Sequence, residues 1–289
     1  MNTSHPVLFR SASYAVMTTL RRLPVLGMVL LLAALSACDE ESPVAAESPS
    51  LVVQAYLYAG ENVRDIRLST TLPLGSSDSI APPVDDARVT LIKNGQSYPL
   101  ISTGDGLYAS AGADPVVAAG DHFDLDIVWG TRHITSSTVV PDAPADVTLA
   151  PDTLWIPTSA SMTYLRSDSA RTRVTWTQAE GALWYVTAAN IETAPEAIVL
   201  GSEPLRQARG RFITPPIGGS AYTLSILNLS HYGRHTVTVY RINTEYAALY
   251  LSREQNSRDL NEPATNIVNG LGVFTAFNGV QRQLVVAKR

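Results

Sequence analysis

Ala87-Arg-Val-Thr-Leu-Ile-Lys-Asn-Gly-Gln-Ser-Tyr-Pro-Leu100 is the stretch that decides the fold class of this chain. Val89 and Leu91 alternate with Arg88 and Thr90, the two-residue period of a strand with one dry face and one wet face. Asn94-Gly95 supplies residues that tolerate the left-handed backbone of a tight hairpin turn, so Gln96–Leu100 reads as the returning strand. The same pattern recurs on either side. Leu51-Val-Val-Gln-Ala-Tyr-Leu-Tyr58 is a strand, with Val63 to Ser69 as its hairpin partner. His122 to Val128 turns Phe123, Leu125 and Ile127 inward and His122, Asp124 and Asp126 outward; Thr131 to Val140 follows Trp129-Gly130. Short strands at this spacing, without helical periodicity, predict an Ig-like β-sandwich over residues 51–141.

Pro141-Asp-Ala-Pro144 punctuates the chain and marks the expected boundary. Beyond it, Arg173-Val-Thr-Trp-Thr177 puts Val174 and Trp176 on one face. Ala182–Ile191 puts Trp184 and Val186 on one face and Tyr185 on the other. Ala221–Asn228 and His235–Ile242 complete four strands. A Trp-bearing strand, the Gly181 turn and a Trp-Tyr strand resemble a fibronectin type III sandwich, expected over residues 142–289. One helix is expected over about 244–255: Asn243 or Thr244 caps it, Glu245 suits its first turn, and Tyr246, Leu249 and Tyr250 share a face. Gly270-Leu-Gly272 reads as a turn leading to the last strand, Gln283–Ala287. The expected fold class is all-β: two tandem β-sandwich modules with one short helix near the C-terminus.

The first fifty residues carry a different signal. Arg21-Arg22 precedes an apolar run from Leu23 to Leu35, then Leu35-Ser-Ala-Cys38. A basic start, an apolar stretch and small residues before a cut describe an export signal over residues 1–37. The run is shorter than the roughly 20 residues a spanning helix needs. Leu-Ser-Ala-Cys is similar to the lipobox of bacterial lipoproteins, so Cys38 is the expected lipidation site. Two or three acyl chains there give stable anchoring, where one would be marginal. Either Met1 or Met17 serves as the start. The residues around the arginine pair fit the twin-arginine export motif poorly. Residues 38–50 are acidic, small and proline-bearing, and read as a lipidated flexible tether.

Charge narrows the partners. Arg10, Arg21 and Arg22 leave with the leader, so 18 basic groups face 26 acidic ones and the mature net charge is −8. Nucleic-acid binding is dominated by phosphate neutralisation, and this surface opposes it. With a single cysteine the mature chain forms no internal disulfide.

The chemistry-bearing residues are few. His231-Tyr-Gly-Arg-His235 has histidines four apart, the spacing of zinc ligands on a helix, but Gly233 and the β-rich surroundings read as a turn. Asp121-His-Phe-Asp-Leu-Asp126 clusters carboxylates as a calcium site does, yet Asp124 and Asp126 alternate onto the wet face of a strand. Gly218-Gly219-Ser220 reads as a turn, and no nucleophile elbow or phosphate loop occurs. Trp129, Trp155, Trp184 and many tyrosines could make a sugar-stacking surface; aromatics in sandwiches are more often core. No residue is singled out for catalysis, metal or cofactor binding.

The ending, Glu262-Pro-Ala-Thr-Asn266-Ile-Val-Asn269-Gly270-Leu-Gly272-Val-Phe274, follows the Tyr-rich helix. With the lipobox, the opening Leu51-Val-Val-Gln-Ala-Tyr, Val84-Asp-Asp-Ala87-Arg-Val and Gly106-Leu-Tyr108, it resembles the lipoprotein family known as domain of unknown function four-two-four-nine. The stretch between Asp146 and Pro216 matches no known pattern. Members lack an assigned activity and are often encoded near TonB-dependent outer-membrane receptors. The resemblance thus implies a non-catalytic binding or accessory lipoprotein of the outer membrane, held by its N-terminal lipid and partnered with such a receptor. The alternative is a free-standing adhesin or glycan-binding surface lipoprotein.

Overall fold

The computed structural model describes residues 49–72, 76–158, 160–200, 203–204, 211–252 and 264–289, all within one compact unit, Pro49–Arg289. Cys38 and residues 39–48 of the expected tether lie outside the described residues. Its last two residues are engaged: the Ser50 amide donates to Thr71 Oγ1 at 3.0 Å, and Arg132 donates to the Pro49 carbonyl.

The first half contains β1 (Leu51–Tyr58), β2 (Ile66–Thr70), β3 (Arg88–Lys93), β4 (Gln96–Gly104), β5 (Leu107–Ser110), β6 (His122–Trp129) and β7 (Arg132–Val139). They pair antiparallel in the order β1-β2-β5-β4-β3-β6-β7. Alternation works as the sequence predicts: Leu51, Val53, Leu91, Phe123, Leu125 and Ile127 are buried in one core. Strand β5 goes beyond the sequence expectation. Asp105 and Gly106, at φ 54 and 72, make the positive-φ pair of a two-residue hairpin, so β4 continues to Gly104 and returns.

The second half contains β8 (Thr148–Ala150), β9 (Thr153–Ile156), β10 (Arg171–Thr175), β11 (Leu183–Asn190), β12 (Val199–Leu200), β13 (Glu203–Pro204), β14 (Arg211–Ile213), β15 (Ala221–Ser225), β16 (Gly233–Ile242) and β17 (Leu271–Lys288). Strands β15-β10-β8 form one sheet and β14-β11-β16-β17 belong to the other, with β9 parallel to β17 and β12 paired to β13. Val174 and Leu224 from the first sheet meet Trp184, Val186, Val237 and Leu284 from the second in a separate core. The core changes between Val140 and Val147, around the proline-marked segment.

Two strands depart from expectation. The strand expected over Ala221–Asn228 stops at Ser225, because Ser225 Oγ accepts from the Leu227 amide and Asn228 Oδ1 accepts from the Ser225 amide. That reciprocal capping starts a helical turn, Ile226–Leu229. The last strand, expected over Gln283–Ala287, runs 18 residues from Leu271. Val273 to Asn278 are buried on both faces, which removes the alternation a periodicity reading depends on.

This long strand joins the halves. It pairs parallel with β1 from Leu271 to Phe277 and antiparallel with β16 from Phe277 to Val286. Phe274 and Ala276 enter the first core; Leu284 and Val286, on the same strand face, enter the second. The two halves are therefore not self-contained tandem bodies: each core is completed by the same strand, and one sheet runs unbroken from β14 to β7.

Its edges are protected. On β7, Thr135 exchanges two backbone hydrogen bonds with Val268, at 2.8 and 3.3 Å. Asn269, Asn266 and Asn243 donate side-chain N–H groups to the carbonyls of His133, Ser137 and Val139, at 2.9, 3.4 and 2.9 Å. Sealing these acceptors removes a template for unwanted strand pairing. At the other edge β14 is short and leads into Pro215-Pro216. Asn266 also spans the Phe274 peptide, donating to its carbonyl at 2.7 Å and accepting from its amide at 3.0 Å. Asn266→Ala is expected to cost about 1–3 kcal/mol, the usual cost of stranding partly buried backbone groups. Urea unfolding would measure it, with a lower midpoint and an unchanged slope.

Candidate binding cleft

The face of the shared sheet that points away from both cores is not a wet face at its centre. Tyr56 and Tyr58 of β1, Phe277 of β17, Tyr240 of β16 and Tyr185 of β11 all emerge there and form an aromatic nest. Phe277 stacks on Tyr58 at 5.1 Å and meets Tyr185 edge-on at 5.5 Å; Tyr185 stacks on Tyr240 at 4.8 Å. Gly279 makes room for Tyr240, since a Cβ there would lie 2.6 Å from the tyrosine ring. The helix Thr244–Ser252 packs on the nest through Tyr246, whose ring meets Phe277 edge-on at 5.0 Å. Its Glu245 carboxylate accepts from Thr138 Oγ1 at 2.9 Å and Thr275 Oγ1 at 3.1 Å, tying the helix to β7 and β17. Asn243 turns its carboxamide to the β7 edge, and residues 253–255 of the expected helix lie outside the described residues.

Beside the nest the same face opens into a cleft of about 530 Å³. Thr187, Thr236, Thr238 and Gln281 form its floor; Glu61, Asn62, Arg64 and Asp65 of the β1–β2 loop form a wall; Arg211 of β14 contributes a cation. The loop is held by the Ala59 amide on the Phe277 carbonyl and the Gly60 amide on the Val117 carbonyl, both at 2.9 Å. Glu61 and Arg64 neutralise one another at 2.8 Å. No carboxylate pairs with Arg211 among the described residues.

Burial, and next the neighbouring Tyr240, push the Tyr58 phenol up to about 12. Burial pushes Tyr185 and Tyr240 up as well, while the positive charge of Arg211 pulls all three partly back. These phenols are protonated at neutral pH, so they offer hydrogen bonds and ring faces rather than general bases. Their neutral forms are favoured in the fold, so the stability they contribute is complete below the ordinary phenol value of 10.0. It is lost as pH rises through the folded values. A spectrophotometric alkaline titration is expected to show ordinary tyrosines ionising first, with Tyr58 following only near pH 12. Tyr58→Phe should remove one late phenol.

The residues singled out in the sequence fall elsewhere. Cys38 lies outside the described residues. His235 is buried at the start of β16, its Nδ1 beside the Gly233 carbonyl at 3.1 Å and its Nε2 beside Asn190 at 3.3 Å; burial lowers its pKa. His231 precedes it in an isolated bridge with Ala197, off any helix. Asp121 is held in a turn by Lys93 at 2.8 Å, the Ala118 amide and Asn94, while Asp126 is engaged by His133 and Asp124 lies beside His122. Among the described residues no three His, Cys, Asp or Glu side chains gather as a metal site would require. Gly218-Gly219-Ser220 is a bend, with Gly218 O accepting from Gln178 and Ser220 O from the Trp176 amide. The tryptophans make no common platform: Trp184 is buried in the second core, Trp155 is exposed on β9, and Trp129 donates to Asp86 beneath Arg132. The nest and cleft were missed, although Tyr56, Tyr58, Tyr185 and Tyr240 at outward-facing positions are a signal that something covers or uses that face.

The shared motifs turn out to be structural locks. Asp85 accepts from the Gly106 amide at 2.8 Å and from Ser102 Oγ at 3.1 Å. The buried Tyr108 hydroxyl accepts from the Ala87 amide at 3.0 Å. Gly270 packs against the Leu51 carbonyl, and Gly272 adopts φ +106 directly against Val53.

Comparison with known proteins agrees with the sequence resemblance. No match was found among curated proteins. Domains A168–A170 of titin are 11% identical, with 84% of this chain and 67% of that one covered, at a TM-score of 0.22. Dpr11 IG1 bound to DIP-gamma IG+IG2 is 11% identical over 84% of this chain and 99% of that one, at a TM-score of 0.21. Neither carries an argument for this chain. The profile of DUF4249, a domain of unknown function, matches residues 39–283, and the chain belongs to that family.

Proposed function

We propose that this chain is a lipid-anchored, non-catalytic binding protein of the cell envelope, accessory to a TonB-dependent outer-membrane receptor or a comparable surface assembly. The observation that carries the binding role is the cleft on the shared sheet face, whose described lining combines hydroxyls, carboxamides and phenols with the charged groups of Glu61, Arg64, Asp65 and Arg211. The two halves act as Ig-like and fibronectin III-like sandwich modules fused through β17, so the cleft stands on a rigid platform. The leader ending at Cys38 supports the anchor, and the family's association with TonB-dependent receptors supports the partner and the outer-membrane location.

Cys38→Ala is expected to abolish lipid labelling and move the protein from the membrane to the soluble fraction. Persistent labelling of that variant would remove the anchor assignment. The accessory role is tested by gentle-detergent capture of the tagged, lipidated chain from native membranes. A stoichiometric β-barrel receptor in the eluate is the expected result. Recovery of the lipoprotein alone at several detergent strengths would point instead to a free-standing adhesin or glycan binder.

A further inference from the structure

We infer that the cleft binds a short acidic oligosaccharide, with its carboxylate on Arg211 and its hydroxyls on the threonine–glutamine floor. This deepens the binding role proposed above and rests on it. Four observations lead there.

The first is the chemistry of the floor. Thr187, Thr236 and Thr238 project from adjacent strands β11 and β16, and Gln281 from β17 pairs directly opposite Thr238. Hydroxyls and carboxamides both donate and accept, which matches the vicinal hydroxyls of a sugar ring. The second is the scarcity of hydrocarbon: among the described lining residues, Ala189 is the sole aliphatic one. Lipid tails and apolar cargo gain little there, whereas the phenol rings of Tyr58 and Tyr240 offer the flat apolar surface a sugar face can use.

The third is the charge. The wall's two carboxylates, Glu61 and Asp65, lie 2.8 and 4.0 Å from Arg64, while Arg211 has no ion-pair partner among the described residues. A guanidinium can bind a carboxylate through two parallel hydrogen bonds, a geometry that selects acidic from neutral ligands. The fourth is what the sheet denies to a peptide. Peptides that add to a sheet need a free strand edge and pockets for alternate side chains. Here three asparagine side chains and Val268 seal β7, and β14 is three residues long and runs into Pro215-Pro216. The apolar space adjoining the cleft is a single pocket of about 150 Å³ walled by Tyr185, Ile213, Tyr246 and Phe277 rather than a row of side-chain pockets. The volume, about 530 Å³, falls in the usual range for small-ligand sites.

Isothermal titration calorimetry on the full lipidated chain, in a detergent without a sugar headgroup, tests this. The probes are trimers of galacturonate, glucuronate and mannuronate, the corresponding neutral hexose trimers, and trialanine. At least one uronate trimer is expected to bind about tenfold or more tighter than its neutral counterpart, as one charged hydrogen-bonded contact implies. Arg211→Gln should erase that preference, bringing the uronate trimer to the affinity of its neutral counterpart, with the melting temperature unchanged. Thr238→Val and Gln281→Ala should weaken both acidic and neutral trimers. Absence of binding by every saccharide, binding by trialanine instead, or a uronate preference that survives Arg211→Gln would each overturn the inference. Receptor capture with the unaltered lipidated chain, set beside its calorimetry, separates the two claims. Co-purification of the receptor without saccharide binding would remove the ligand class and leave the accessory role. Saccharide binding without a receptor would do the reverse.

Discussion

Gly272→Ala is expected to destabilise the protein by about 4 kcal/mol or more, the range reserved for backbone strain or gross core damage. The residue sits at φ +106, and an added Cβ would lie 2.0 Å from the Val53 carbonyl oxygen and 2.9 Å from its carbon. Neither clash is with the end of a flexible side chain. Val53 is held by pairing with Leu68 on one side and Gly272 on the other, so relief requires moving β1 against β17. Both cores feel that shift, because β17 supplies side chains to each. For a unit of this size a loss of that order lowers the melting temperature by roughly 10 °C. Gly112→Ala, where nothing lies within 4 Å of the new methyl group, is the matched control. It is expected to change stability by less than about 0.5 kcal/mol. Differential scanning calorimetry of both variants checks the pair; equal, small effects would refute the tight β1–β17 approach.

Phe277→Ala is expected to cost about 3–5 kcal/mol, as large-to-small changes at buried aromatics do. Phe277 is 2% exposed and sits where β17 passes from its pairing with β1 to its pairing with β16. Its ring touches those of Tyr58, Tyr185 and Tyr246, so its loss opens a void among residues from both halves and the helix. A second readout separates this from generic instability. Burial is the main reason the Tyr58 phenol is raised to about 12, and the void exposes it to water. In the variant that phenol should ionise closer to its ordinary value of 10.0, while the protein is still folded. Phe274→Leu, on the opposite strand face within the first core, should leave the Tyr58 titration where it is.

Much of this architecture is legible from residue pattern alone. The strands of the first half follow from clean alternation, as at Val89 and Leu91 or Phe123, Leu125 and Ile127, and Asn94-Gly95 fixes one hairpin. Asp105-Gly106 carries the same turn chemistry and would have revealed β5. The last strand was illegible for a physical reason. Val273-Phe-Thr-Ala-Phe277 has no alternation because both faces are covered: Phe274 and Ala276 enter a core, while on the other face Thr275 bonds Glu245 of the helix and Phe277 joins the aromatic nest. The cleft was also illegible, because its residues come from five strands and a loop far apart in sequence. Tyr58 and Tyr240, or Thr238 and Gln281, become neighbours only once β17 is placed between β1 and β16. The DUF4249 motifs were visible as residues but not as roles. Asp85, Gly106 and Tyr108 lock one hairpin to the start of β3, and Asn266, Gly270, Gly272 and Phe274 set the entry into β17.

The central claim is that both cores form one body through β17, whose outer face carries the cleft. Two single-tryptophan variants test it most directly, one retaining Trp129 on β6 and the other Trp184 in the second core, with the remaining tryptophans changed to phenylalanine. In each variant, urea unfolding followed by tryptophan fluorescence and by far-ultraviolet circular dichroism should give one coincident transition with a single midpoint and slope. Two separated transitions, with one core melting while the other persists, would contradict it.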